Sequence, residues 1–149
     1  MVTSDQIREL REQTDVSIMA CKRALEAANG DMTRAIELLK EEGARIASKK
    51  AERSTAIGIV EAYVHGNQKI GVILELRSET DFVARNPDFK SLAHEVAMHI
   101  AAASPETVED LVGQPFIKDE RKTVGTLVQE AIARFGENIT IARFSRFQI

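Results

Sequence analysis

The residues of this 149-residue chain that could do acid–base, metal or nucleophilic chemistry are three histidines, one cysteine and a scatter of carboxylates. They do not form a catalytic set. His94 and His99 share a predicted helix five residues apart; at 3.6 residues per turn that spacing separates them by about 140° and suits no shared metal. His65 falls in the turn signal "HGNQ". Cys21 lies on the apolar side of its helix, where a thiol is inert core, and a single cysteine makes no intrachain bridge, which fits a reducing compartment. No HExxH, GxGxxG or GxxxxGK[ST] occurs, and pairs such as Glu41-Glu42 sit on solvated helix ends. The expectation is therefore no catalytic residue, no bound metal and no cofactor: a binding protein, not an enzyme.

Binding chemistry concentrates in "LELRSETDFVARNPDF", Leu74 to Phe89. An apolar run ends in polar residues, and Phe82 stands where turn chemistry favours small polar side chains. If Thr80 caps one helical turn, Asp81 and Phe82 occupy its first positions and project outward. Two readings stay open: the ring folds back over Leu76 as a lid, or it protrudes as an aromatic anchor of the kind that dominates interface energies. A second candidate patch is His94, Met98 and Ala101, opposite the apolar stripe of their helix.

The elements that must position these residues follow from period and punctuation. Residues 1–43 read as three short helices. Ser4 caps the first, with Ile7 and Leu10 inward; Ser17 caps the second, with Ile18, Cys21, Leu25 and Ala28 inward. "AANGD" separates it from the third, which Asp31 caps and Gly43 ends. Residues 44–56 are charged and helix-forming, a predicted linker helix. From Ile57 the period changes: "IGIVEAYV" and "KIGVILEL" flank a hairpin turn, and Ile70, Val72, Leu74 and Leu76 alternate onto one face. Asn86-Pro87 starts a helix to about Ala103. Residues 104–122 read as loop with a short helical turn, Thr123–Phe135 as helix, Gly136 as its stop, and "ITIARFSRF" as a third strand. The expected class is α+β: an N-terminal bundle, a linker, then a three-stranded antiparallel core at 57–149 with helices on one face.

The formal charge of −3 disfavours broad nucleic-acid binding, although Lys49, Lys50 and Arg53 could touch phosphate. No window has the ~20 apolar residues a bilayer span requires, and Met1 leads into a polar helix start. These features point to a cytoplasmic protein without a leader.

The segments "IMACKRALEAANGD", "AIELLKEEGA", "ETDFVARN", "LAHEVAMHIAAASP", "GQPFIKDERKTV" and "FGENITIARF" resemble, in this order, bacterial elongation factor Ts. That resemblance implies a guanine-nucleotide exchange factor for elongation factor Tu, with an N-terminal module like a ubiquitin-associated bundle. It implies that Thr80, Asp81, Phe82 and Val83 dislocate Mg2+ in the GTPase, and that Arg11, Ile18, Met19 and Lys22 dock the N-terminal module. It assigns His94, Met98, His99, Phe135, Gly136, Glu137 and Asn138 to partner or dimer contacts. Asp15-Val16-Ser17-Ile18 differs from the Gly-Ala-Gly-Met-like turn of the family. Only one core copy is present, so a homodimer is expected to supply the second surface. The competing reading is a ribosome- or RNA-associated accessory protein without exchange activity.

Overall fold

Thr3, not Ser4, opens the first helix, because a capping box needs Glu or Gln three residues on and only Thr3 has one. Its hydroxyl accepts from Gln6 N–H while the Gln6 side chain accepts from Thr3 N–H. The computed structural model describes all 149 residues, and this helix, α1, spans Ser4–Thr14. Ser17 caps α2 (Ile18–Ala27), and Asn29 and Gly30, both at positive φ, turn the chain into α3 (Met32–Lys50), capped by Asp31. Leu10, Cys21, Ala24, Leu25, Ala28, Ala35 and Leu39 form the small core of this bundle. Ile18, expected among them, is instead 53% exposed.

The third helix does not stop at Gly43. It runs on to Lys50, so the predicted linker helix is the second half of α3, and Ala47 already belongs to the main core. Gly43 stays helical and does not terminate the helix; a Cβ there would stand at an ordinary contact distance, 4.0 Å, from the Cβ of Ala133 on α7 (Val124–Phe135). An ion pair from Arg134 to Asp15, 2.6 Å, ties the bundle to the core a second time.

The sheet follows the alternation. Strands β1 (Ile57–Val64), β2 (Ile70–Ser78) and β5 (Thr140–Gln148) pair antiparallel in the order β1-β2-β5. Val72, Leu74 and Leu76 of the central strand are buried beneath α5 (Pro87–Ala103) and its neighbours. Asn86 caps α5 and Pro87 opens it, which buries Phe89, Leu92, Ala93, Val96 and Ile100. The other sheet face is open. Its register sets Val64, Gly71 and Phe147 side by side, and next to them Ala62, Ile73 and Ser145; Val60, Val64, Ile73 and Phe147 are exposed there.

Residues 104–122 hold more structure than expected. After the helical turn α6 (Val108–Gly113), a tight hairpin forms from β3 (Pro115–Phe116) and β4 (Asp119–Thr123). Arg121 donates to Asp119 and holds that carboxyl below its usual range. No helix is long and apolar enough to cross a membrane.

Close strand approach makes Gly58 sensitive. A Cβ there would fall 2.1 Å from the Leu76 carbonyl oxygen and 2.7 Å from the Arg77 Cα, both backbone atoms that cannot swing away. Gly58→Ala is expected to lift β1 from β2 at a cost of about 1–3 kcal/mol. At this chain length that lowers the thermal midpoint by roughly 3–10 °C. A melting curve superimposable on the wild type would show that the pairing yields freely.

Candidate partner-binding site

Where β2 ends, the chain loses its ladder partners: Ser78 still pairs with Ile57, and Glu79 and Thr80 do not. Buried Ser78 donates to the Thr80 carbonyl at 2.9 Å. Thr80 then caps a single turn, α4 (Asp81–Ala84), its hydroxyl accepting from Val83 N–H at 3.4 Å. Val83 and Ala84 point into the core. Asp81 pairs with Arg85 at 2.7 Å on the outer side, an (i, i+4) contact. With Val83 and Ala84 filling the inward positions, Phe82 is left outward and is 84% exposed. The lid over Leu76 is excluded. Burying such a ring in its own core would contribute about 1.5–3 kcal/mol, and this turn forgoes that contribution.

The turn is held from behind by the junction between α7 and β5. Gly136 takes the left-handed conformation (φ 72°) that ends α7. The Glu137 carboxylate accepts from Glu79 N–H at 3.2 Å, from Thr80 N–H at 3.0 Å and from the Thr80 hydroxyl at 2.6 Å. Asn138 donates to the carbonyls of Ala51, 3.3 Å, and Arg53, 2.9 Å. Phe135 packs edge-on to Phe89, centroids 6.3 Å apart. Arg53, proposed on sequence to reach phosphate, lies 3.6 Å from the Glu79 carboxylate.

Of the residues assigned to partner or dimer contacts, three are interior, the first being Val83, 4% exposed, which packs behind the turn instead of reaching a partner. Asn138 is 3% exposed, its amide spent on the end of the linker. His99 is 1% exposed: its Nδ1 accepts from Ile117 N–H at 3.2 Å, its Nε2 lies 2.9 Å from Gln114 Oε1, and its ring stacks on Phe116. It is the anchor of the β3–β4 hairpin and has no outward face. Phe135 and Glu137 are half-buried, and Gly136 is exposed. On α5, His94 faces outward beside Glu61 (3.5 Å) and the ring of Tyr63, Met98 is half-buried, and Ala101, expected outside, is buried.

On the bundle, Arg11, Ile18, Met19 and Lys22 are all exposed. The adjacent Ile18 and Met19, 53% and 60% exposed, make an apolar spot at the start of α2, and Lys22 follows one turn on. The helical spacing of Ile18 with Cys21 and Leu25 concealed this, since Ile18 sits on the edge of the stripe. Arg85 was legible as the (i, i+4) partner of Asp81. Glu137 gave no local sign of its contact with residues 57 and 58 positions away.

Comparison with known proteins identifies the family. The family model described as elongation factor TS matches residues 79–149, the turn and everything after it. Elongation factor Ts of Acetivibrio thermocellus is 41% identical over 99% of this chain and 90% of its own length. That of Carboxydothermus hydrogenoformans is 43% identical over all of this chain and 89% of its own, and that of Leptospira biflexa 40% identical over 99% and 98%. The Carboxydothermus alignment runs over 194 positions against 149 residues here, so that relative carries internal residues this chain lacks. On this extent of similarity, the chain belongs to the elongation factor Ts family, the nucleotide exchange factors, not enzymes, that bind elongation factor Tu.

Proposed function

We propose that exchange proceeds by insertion of the Phe82 ring, carried on the Thr80–Val83 turn, beside the Mg2+ site of elongation factor Tu. The observation that carries this reading is the 84% exposed ring on a turn fixed from both ends. Mg2+ links phosphate oxygens to protein ligands and neutralises their charge. A ring forced between the elements bearing those ligands displaces them, and the nucleotide loses a large electrostatic contact without any covalent step. Linkage demands the converse: bound nucleotide weakens the grip of the exchange factor by the same factor. Asp81, paired with Arg85, steadies the turn rather than entering the site. Stopped-flow release of fluorescent GDP, wild type against Phe82→Ala, tests this reading directly.

The bundle (residues 1–43) and the core (57–149), joined through 44–56, act as two docking modules. Arg11, Ile18, Met19 and Lys22 form the contact of the first with the GTPase domain; an apolar pair flanked by cations suits an acidic-rimmed hollow. The His94 and Met98 side of α5 faces a second domain of the GTPase. One core copy serves both contacts awkwardly, and a homodimer through the open sheet face relieves this. The exposed Val64, Ile73 and Phe147 there form the centre of such an interface, with the row of Val60, Glu75 and Arg143 toward its rim, the last two 3.7 Å apart. Light scattering at tens of micromolar is expected to give a dimer, and Ile73→Lys to shift it toward monomer by at least tenfold in dissociation constant, since a lone charge at a dry interface is strongly unfavourable. A wild-type monomer at that concentration removes the dimer.

A further inference from the structure

We infer that Glu137 is the positioning residue of the exchange site: its carboxylate sets the turn that presents Phe82 and does not itself meet the GTPase. The inference rests on the Phe82 reading above. Both oxygens are committed within the chain. Oε1 accepts the two backbone N–H groups, Glu79 at 3.2 Å and Thr80 at 3.0 Å, that lie beyond the end of the β2 ladder. Oε2 accepts the Thr80 hydroxyl proton at 2.6 Å. That last bond fixes the direction of the capping hydroxyl, whose lone pair is then free to accept Val83 N–H. The chain of donors runs from Val83 through Thr80 to Glu137, and charge-assisted bonds of this kind are the stronger ones.

A four-residue turn has no stability of its own, because nucleating one helical turn orders several residues for a single hydrogen bond. Remove the carboxylate, and two amides and a hydroxyl lose their partner together. The turn then frays at its first residues, which are the ones that aim the ring. Glu137 is itself well fixed, between the left-handed Gly136 and the buried Asn138 that grips Ala51 and Arg53.

The test compares wild type, Glu137→Gln, Glu137→Ala, Phe82→Ala and the Glu137→Ala/Phe82→Ala double variant in fluorescent-GDP release from elongation factor Tu. Amide hydrogen exchange of each free protein, read by NMR, accompanies it. Glu137→Ala is expected to slow exchange by about tenfold or more, from the loss of bonds to a charged acceptor, and Glu137→Gln, with one acceptor oxygen kept, to fall between. In the double variant Glu137→Ala adds nothing to Phe82→Ala, because the two act through one ring. The amides of Glu79 and Thr80 lose protection while those of β2 keep theirs. Three results overturn the inference: a wild-type exchange rate for Glu137→Ala, losses that simply add in the double variant, or unchanged protection at Glu79 and Thr80. Full exchange by Phe82→Ala sinks the wedge itself and this role with it, an outcome distinct from the other three. Should the alanine variant fail to fold, Glu137→Gln carries the same comparisons.

Discussion

Phe82→Ala is expected to slow the factor-stimulated release of GDP from elongation factor Tu by on the order of a hundredfold. The figure follows from the class of contact. Aromatic anchors at protein interfaces are worth about 2–4 kcal/mol on truncation, and each 1.4 kcal/mol is about a factor of ten. A ring that is 84% exposed in the free protein makes few contacts to lose within its own fold. The thermal midpoint therefore stays within about 2 °C of wild type, as for surface changes that touch no cap or core. This combination separates a wedge from a structural residue. A variant whose rate stays within twofold of wild type would sink the wedge; one that loses activity only in proportion to lost folding would return Phe82 to the scaffold.

The largest effect on stability belongs to Phe89→Ala. Phe89 is fully buried in the first turn of α5, belongs to the main core and meets Phe135 edge-on. Truncating a buried phenylalanine costs about 3–5 kcal/mol, from lost burial and from the cavity left behind. For a chain of this length that lowers the midpoint by roughly 6–20 °C. Chemical denaturation should show the loss as a lower midpoint with little change in slope. A shift below about 1 kcal/mol would mean that α5 settles onto the sheet without the ring. Because Phe135 begins the segment that reaches Glu137, the variant is also expected to slow exchange more than its folded fraction explains.

The contrast between these two phenylalanines shows what was legible in the sequence. The fate of Phe89 followed from period and caps alone: Asn86 and Pro87 start the helix, and the stripe through Leu92, Val96 and Ile100 then sends Phe89 inward. The capping of α2 by Ser17, of α3 by Asp31 and of the turn by Thr80 was equally local. The direction of Phe82 was not, because it depends on which neighbours fill the space behind the turn. Gly43 misled for a related reason: glycine ends helices through positive φ, yet here it keeps helical φ and α3 runs on to Lys50, where Ala47 joins the main core. The β3–β4 hairpin has no alternating pattern and is organised by His99, whose partners lie 15 and 18 residues away. Glu137 and Asn138 were assigned through the resemblance to partner or dimer contacts, and nothing local pointed to bonds within the chain. Their bonds reach residues 57 to 87 positions away, a distance over which spacing rules carry no information. What failed was the long-range part, and it includes the carboxylate that holds the Thr80 turn.

The unbroken course of α3 has a consequence for affinity. Its 19 residues make a rod of about 28 Å that begins in the bundle and ends against the core. On the proposed two-module docking, a bundle seated on the GTPase would make the second contact intramolecular, with an effective concentration set by how narrowly the tether restricts the search. A floppy tether would spread that search over many orientations, whereas a stiff one delivers the ring to a single neighbourhood. A modest grip at each end would then multiply into avidity.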